Sequence, residues 1–134
     1  MIAPKTKNIV LTRDGGRCVI QGPSCIRVAT VADHRANRGS GGSSLLDSPE
    51  CLIAACWACN GWKEDCVGED REDLIRCGIR VLKAATNALT YLRCLETPVL
   101  YPDGLFMLCG DVREPMSNGD VADYWALVTE GILF

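Results

Sequence analysis

Residues 51–64 read CLIAACWACNGWKE and include a closely spaced pair of cysteines, Cys56 and Cys59. Their gap of two residues lets both thiolates reach one metal ion. A second pair, Cys18 and Cys25, lies upstream with a gap of six residues. Four such ligands complete a tetrahedral site, so the sequence predicts a structural zinc ion that holds a hairpin against a following helix.

Nine cysteines in 134 residues also fit a disulfide framework, but that explanation suits a secreted protein. Residues 1–12 carry no apolar core of a secretory signal, and an odd number of cysteines leaves one thiol unpaired. Both points favour metal binding in the cytoplasm. Cys51 and Cys66 remain alternative partners for the tight pair, and four buried thiols without metal remain the other explanation. The isolated cysteines are expected in the core, because a free thiol behaves as a small apolar group. They are Cys77, Cys94 and Cys109.

Charge and hydropathy narrow the choice of partners. No apolar stretch approaches the roughly 20 residues that a transmembrane helix needs, so no membrane partner is expected. The net charge of −3 argues mildly against a nucleic-acid partner, because backbone binding depends on neutralising phosphates. Residues 1–66 contain eight Lys and Arg against six Asp and Glu, or +2, whereas residues 67–134 contain six against eleven, or −5. The basic excess therefore lies in the half that contains the paired cysteines.

Hydrophobic periodicity and turn signals predict an α+β fold in a single domain over residues 1–134. Helices are expected at residues 4–13, from a cap at 47 or 48 to about 62, at 69–76, at 82–95 and within 121–134. One apolar face of the 82–95 helix is formed by Leu82, Ala85, Leu89 and Leu92. Hairpins are expected at residues 18–33 and 97–108, the second around an Asp-Gly turn. Residues 35–48 are rich in Gly and Ser, which indicates a functional loop.

His34 is the single histidine of the chain, and it follows Asp33 at the end of a predicted strand. A lone histidine is more often an ordinary surface or core residue, but imidazole has the pKa best suited to taking a proton from water near neutrality. Asp33 offers a hard oxygen to a cation such as Mg²⁺, and Asn60, directly after Cys59, offers a second. These residues together suffice for metal-dependent hydrolysis of a phosphodiester.

The segments GGRCVIQGPSC, VADHRANRGSGGS and CLIAACWACNGWKE resemble the HNH (His-Me finger) endonucleases, notably the small phage-encoded ones. The resemblance covers residues 13–65 and implies a ββα-metal core there. It implies that His34 activates water, that Asp33 and Asn60 hold Mg²⁺ or Mn²⁺, and that DNA is the substrate. It also implies that the structural zinc is held by Cys18, Cys25, Cys56 and Cys59. Residues 67–134 form a C-terminal extension of helices and a hairpin without such a resemblance.

Three basic residues near this site, Arg35, Arg38 and Lys63, are candidates for contacts with DNA phosphates, with solvation at the surface as the alternative. The middle asparagine of the family, which fixes the loop carrying the histidine, corresponds to Cys51 here, and Asn37 is a candidate substitute. This departure and the acidic charge leave open a catalytically inactive, zinc-stabilised nucleic-acid-binding module. The resemblance to phage proteins further implies the cytoplasm of a bacterial host as location and phage packaging proteins as partners.

Overall fold

The structure is a computed structural model that describes residues 2–37 and 44–133, and it has a mixed α+β fold. Within those residues the α-helices are α1 (Pro4–Arg13), α2 (Trp57–Asp65), α3 (Gly68–Arg76), α4 (Asn87–Glu96) and α5 (Asn118–Thr129). The strands are β1 (Val31–His34), β2 (Leu52–Ala55), β3 (Val99–Tyr101), β4 (Gly104–Cys109) and β5 (Val112–Pro115). Two 3₁₀ turns precede β2, at Leu45–Asp47 and Pro49–Cys51. None of the described helices is both long and apolar enough to cross a membrane.

β1 and β2 form a two-stranded antiparallel sheet, in which His34 lies opposite Leu52. The predicted hairpin at residues 18–33 is therefore wrong in its pairing, because only a bridge between Arg17 and Val28 joins its two halves. All four residues of β2 are fully buried. A buried run needs partners for its backbone N–H and C=O groups, and β1 supplies them on one edge.

The predicted helix from residue 47 or 48 to about residue 62 is wrong over its first half. The chain there forms the two 3₁₀ turns and β2, and α2 begins only at Trp57. A short apolar run such as residues 52–55 has no periodicity that separates a buried strand from a buried helix. Cys56 caps the helix, since its Sγ accepts a hydrogen bond from the backbone N–H of Cys59.

Elements with strong local signals are confirmed. α1 and α3 match the predicted helices, and the hairpin predicted at residues 97–108 is formed by β3 and β4. β5 adds a third antiparallel strand to it. The final helix is also confirmed, although α5 begins at Asn118, where the Ser117 hydroxyl accepts a hydrogen bond from the N–H of Asp120.

α4 differs from its prediction in both its start and its buried face. It begins at Asn87, five residues later than expected, after Thr86 has capped its first turn. Its predicted apolar face lies on the surface, with Leu89 49% and Leu92 47% exposed. The buried positions of α4 are Thr90 and Cys94. Helical spacing alone therefore identified the wrong side of this helix.

Two apolar clusters form the core. The larger cluster surrounds β2 and includes residues of α1, of the segment between Cys18 and Cys25, of α3 and of the three-stranded sheet. The smaller cluster consists of Ala36, Leu46, Cys51, Val81 and Cys94. Cys94 thus confirms its predicted place in the core, and Cys77 is partly buried against the larger cluster. Cys109 is exposed, so its predicted place in the core is wrong.

Arg35 joins the two halves of the chain and is the largest fully buried side chain among the described residues. Its guanidinium donates to the backbone carbonyls of Gly78 (2.7 Å), Glu50 (2.8 Å), Cys94 (2.9 Å) and Thr97 (2.7 Å). Gly78 has a φ of +70°, and a Cβ atom there would lie 1.8 Å from the carbonyl oxygen of Pro98. Only glycine allows this close approach, which also presents the Gly78 carbonyl to Arg35.

Candidate functional site

The four cysteines predicted to bind zinc lie together. The Sγ atoms of Cys18, Cys25, Cys56 and Cys59 are all within 4.8 Å of one another. Zn–S bonds of about 2.3 Å in a tetrahedral site place the sulfur atoms about 3.8 Å apart, so the cluster is compact enough to hold a zinc ion. Three of the thiols are buried, and Cys25 is partly exposed. A zinc ion held by all four thiolates would have no open position for substrate, so such a site would be structural.

Tight turns bring the first cysteine pair to this cluster. Gln21 and Arg27 have φ values of 54° and 78°, a left-handed conformation that costs a non-glycine residue roughly 1 kcal/mol. The first turn directs the N–H of Gly22 to the Sγ of Cys59, at 3.3 Å. A Cβ atom on Gly22 would lie 2.7 Å from the ring of Trp62, so glycine is required for the turn to pack on α2.

Backbone donors also stabilise the thiolate of Cys56. The N–H groups of Ile26 and Cys59 lie 3.5 and 3.4 Å from its Sγ. Burial raises the pKa of this thiol, but these donors together with the neighbouring thiols of Cys59 and Cys18 outweigh burial and lower the pKa to about 6. Burial raises the pKa of the Cys18 and Cys59 thiols. A bound zinc ion therefore has to displace the protons of these two thiols, which couples zinc affinity to pH.

A second cluster lies at the end of β1, where Asp33 is 7% exposed. Its Oδ2 lies 3.2 Å from Nζ of Lys63 on α2, an ion pair without the geometry of a hydrogen bond. The ammonium group of Lys63 donates instead to the carbonyl of His34. Burial raises the pKa of the Asp33 carboxyl, and the charge of Lys63 opposes that rise. A buried carboxylate oxygen that receives no hydrogen bond from the described residues is suited to a cation.

The imidazole of His34 is held by a residue that sequence reasoning missed. Its Nε2 lies 2.7 Å from Oδ1 of Asp47, and both side chains are about one-fifth exposed. Asp47 belongs to the 3₁₀ turn before β2, 13 residues from His34. No spacing or motif links the two positions, so only the folded chain could identify the pair.

Cys51, which the resemblance described above aligns with a middle asparagine, lies in an apolar environment. Cys51 is 1% exposed, belongs to the same core cluster as Cys94, and has its Sγ 3.9 Å from the carbonyl oxygen of Leu45. These contacts direct it into the smaller core cluster. Asp47, rather than Cys51, is the side chain that orients the ring of His34.

The remaining predicted residues fall into three groups. Asn60 lies one turn before Lys63 on α2 and is half-buried, and its side chain makes no hydrogen bond with the described residues. Lys63 is 2% exposed and is engaged with Asp33, and Arg35 has the structural role given above in place of the predicted phosphate contact. Arg38 lies outside the described residues.

Comparisons of the chain with known protein families, curated proteins and solved structures gave no match. Two clusters carry the chemistry described above. One is the four-cysteine site, and the other consists of Asp33, His34, Asp47 and Lys63.

Proposed function

We propose that this chain is a zinc-stabilised phosphodiesterase that acts on nucleic acid. The observation that carries the proposal is the cluster at the end of β1, where a buried carboxylate and an oriented imidazole are adjacent in the chain. More particularly, we propose an HNH-type endonuclease that hydrolyses DNA. β1, β2 and α2 follow one another in the order of a ββα-metal motif, and the cysteine cluster lies at the start of α2, which supports this assignment.

His34 acts as the general base. A carboxylate oxygen can only accept a hydrogen bond, so we assign the acceptor to Oδ1 of Asp47 and the donor to Nε2 of His34. The proton of neutral His34 is then on Nε2, and the lone pair of Nδ1 is available to take a proton from water. Asp47 also stabilises the imidazolium that forms, so it serves as a positioning residue for this step.

Asp33 and Asn60 are the residues that would hold a divalent cation. The buried Oδ2 of Asp33 without a hydrogen-bond donor fits such a ligand, and Asn60 lies on the same side of α2 as Lys63, which reaches Asp33. Mg²⁺ or Mn²⁺ would supply charge stabilisation to the phosphate and its leaving oxygen when bound. Lys63 holds α2 against β1 at this point and keeps the charge of Asp33 balanced.

A zinc-stabilised nucleic-acid-binding module without catalysis is the second candidate. The contact of 3.2 Å between Nζ of Lys63 and Oδ2 of Asp33 favours it, because an ammonium group already offsets the carboxylate that would bind the cation. Cys51 in place of the family's middle asparagine points in the same direction. The two candidates differ in whether DNA is cleaved.

The deciding experiment is incubation of supercoiled plasmid with the purified chain, with and without Mg²⁺ or Mn²⁺. We expect metal-dependent nicking or linearisation, reduced roughly 100- to 10,000-fold in His34→Ala, because general base catalysis contributes a factor of that size. Asp123→Ala is the matched control, since it removes an exposed carboxylate from α5. Zinc content and the thermal melting curve are measured for every variant to establish that each is folded.

The outcomes separate the candidates. Full activity in His34→Ala would remove this residue from the mechanism. DNA binding without cleavage in the parent chain, at about one zinc ion per chain, would favour the binding module. Neither binding nor cleavage by a folded, zinc-loaded chain would contradict both.

A further inference from the structure

A recess of about 270 Å³ lies beside the Asp33 and His34 cluster and is lined largely by basic side chains. The cationic residues are Arg35, Lys63, Arg71, Arg80 and Lys83, and the single carboxylate of the lining is Glu64. The recess is joined to the candidate catalytic cluster by Lys63, which belongs to both. Asn37, three residues after His34, lies on the same wall.

This concentration of positive charge is unusual for the chain. Five of its 14 Lys and Arg residues line one recess, although the net charge of the protein is −3. Three of the five come from residues 67–134, the half whose formal charge is −5. Like charges gathered in one concave surface repel one another and focus a positive potential outward. An anionic ligand would relieve this repulsion.

Two of the five cations are used inside the protein, and the other three have no carboxylate partner in the described part of the chain. Arg35 and Lys63 are buried and bonded to backbone carbonyls. Among the described residues, no ion pair involves Arg71, Arg80 or Lys83. In the same half, Arg76 is paired with Asp73 and Arg113 with Asp103.

Arg80 is also fixed in position. One of its guanidinium nitrogens donates to the carbonyl of Lys63 at 3.1 Å, near the carboxyl end of α2. The backbone N–H of the following residue, Val81, donates to the carbonyl of Arg35 at 2.8 Å. The segment that carries Arg80 and Lys83 is thereby attached to the strand and helix of the catalytic cluster. This attachment positions its cations for a ligand that extends from that cluster.

We infer that the recess binds the phosphate groups of the DNA backbone next to the cleaved bond, through Arg71, Arg80 and Lys83. The inference rests on the proposed function, which takes the ligand at the catalytic cluster to be DNA. Guanidinium and ammonium groups are the usual partners of backbone phosphates, and such contacts position the nucleic acid without reading its sequence. The extension after α2 therefore supplies DNA contacts that the resembling residues 13–65 do not contain.

The test measures binding separately from cleavage. A fluorescent DNA duplex is titrated with the full zinc-loaded chain carrying His34→Ala, without Mg²⁺, at several NaCl concentrations. The recess variant adds Arg71→Ala and Lys83→Ala. The matched control instead adds Lys5→Ala and Lys7→Ala, which remove two exposed charges from α1. Arg80 is kept because its bond to Lys63 is also structural.

We expect the recess variant to bind DNA roughly tenfold more weakly than the parent at about 0.1 M salt. We also expect the slope of log Kd against the logarithm of salt concentration to decrease by about 1.8, since each of the two lost phosphate contacts contributes about 0.9. The control should change the affinity less than about twofold. Equal effects of the two variants, or no binding of DNA by the parent, would overturn the inference. Preference for an RNA duplex over DNA would overturn the assigned ligand.

Competition by inorganic phosphate is a second test of the ligand. If it displaces DNA far more effectively than chloride at equal ionic strength, the recess binds the free anion and the inference fails. Cleavage by the parent chain, together with unchanged DNA binding in the recess variant, would contradict DNA binding by the recess but not the proposed endonuclease activity. Recess-dependent binding without cleavage would instead support the recess and contradict the endonuclease.

Discussion

The region with the candidate zinc site, residues 17–66 (below, the zinc-binding region), and the C-terminal region, residues 67–133, differ in how their backbone groups are satisfied. In its described residues, the first region has only the four-residue strands β1 and β2, two 3₁₀ turns and the nine-residue helix α2. The second has three helices and a three-stranded sheet joined by short turns. Regular elements satisfy their own backbone groups, so the irregular first region must obtain partners for its backbone from side chains, including the thiols of the cysteine cluster.

Buried arginines provide many of these partners. Arg13, paired with Asp14, donates to the carbonyls of Pro49 and Leu52 on either side of the turn that leads into β2. Arg35 donates to four carbonyls and has no carboxylate partner among the described residues. Burial lowers the pKa of its guanidinium, but such a group remains protonated in proteins.

The two regions therefore depend on each other unequally. The C-terminal region contains most of its own hydrogen-bonding partners, whereas the zinc-binding region takes contacts from three sources. These are the cysteine cluster, the buried arginines, and the side chain of Asp14, which accepts hydrogen bonds from the N–H of Ala54 and from the hydroxyl of Tyr101 in β3. We therefore expect perturbations to rank by how many backbone groups of the first region they leave without partners.

Removal of zinc should have the largest effect. Structural zinc ions contribute about 10–16 kcal/mol of apparent binding free energy in small domains, comparable with the whole stability of a typical domain. We expect a chelator at neutral pH, or Cys59→Ala, to unfold the zinc-binding region, as measured by circular dichroism and amide hydrogen exchange. Cys109→Ala, an exposed cysteine outside the cluster, is the control.

Amide hydrogen exchange rates in β3 to β5 of the zinc-free chain show whether the C-terminal region is stable without the zinc-binding region. If these strands stay protected without zinc, the C-terminal region is independently stable. If they lose protection together with β1 and β2, the two regions form one cooperative unit. A chelated chain that melts like the parent would contradict the zinc assignment itself.

Replacement of Arg35 should have the next largest effect. Arg35→Met keeps an apolar stem but leaves four buried carbonyls without their charged donor, so we expect the free energy of unfolding to fall by at least about 3 kcal/mol. Urea unfolding of the zinc-loaded chain measures this change. Arg93→Met is the matched control, because Arg93 is exposed and also bonds to backbone carbonyls. Equal losses in the two variants would show that burial of the Arg35 bonds has no special weight.

The smallest effect is expected for an ion pair on the C-terminal sheet, between Asp103 and Arg113. The hydrogen bond from Arg113 lowers the pKa of the Asp103 carboxyl, so the pair stabilises the fold above the ordinary carboxyl pKa of about 3.9. That contribution is lost as the pH falls through the lowered value. Because Asp103 is 60% exposed, a double-mutant cycle with Asp103→Asn and Arg113→Met at pH 7 should give at most about 1 kcal/mol. A coupling as large as the loss in Arg35→Met would invalidate the proposed ranking.

Sequence and structure agree where a pattern is local. α1, α3 and the β3–β4 hairpin follow from caps, charge and turn residues within a few positions of one another. The zinc ligands are likewise identifiable, since a two-residue gap between cysteines already limits how their thiolates can point. Asp33 and His34 were identifiable as candidate site residues from their residue types and their adjacency in the sequence. Their roles as metal ligand and base remain proposals.

Features that join segments far apart in the sequence could be identified only from the folded structure. β1 pairs with β2 across 17 intervening residues because both belong to the buried centre of the chain, and no local signal specifies that pairing. The buried side of α4, the burial of Arg35, the bond between His34 and Asp47 and the basic recess have the same origin. Residue type and spacing limited the candidate metal ligands to a few cysteines and predicted α1, α3 and the hairpin, because each of these signals lies within a few residues along the chain. The fold then brought Cys18 and Cys25 to Cys56 and Cys59. The folded chain determined which distant polar groups meet, because a buried donor or acceptor must take whichever partner the packed core brings within reach.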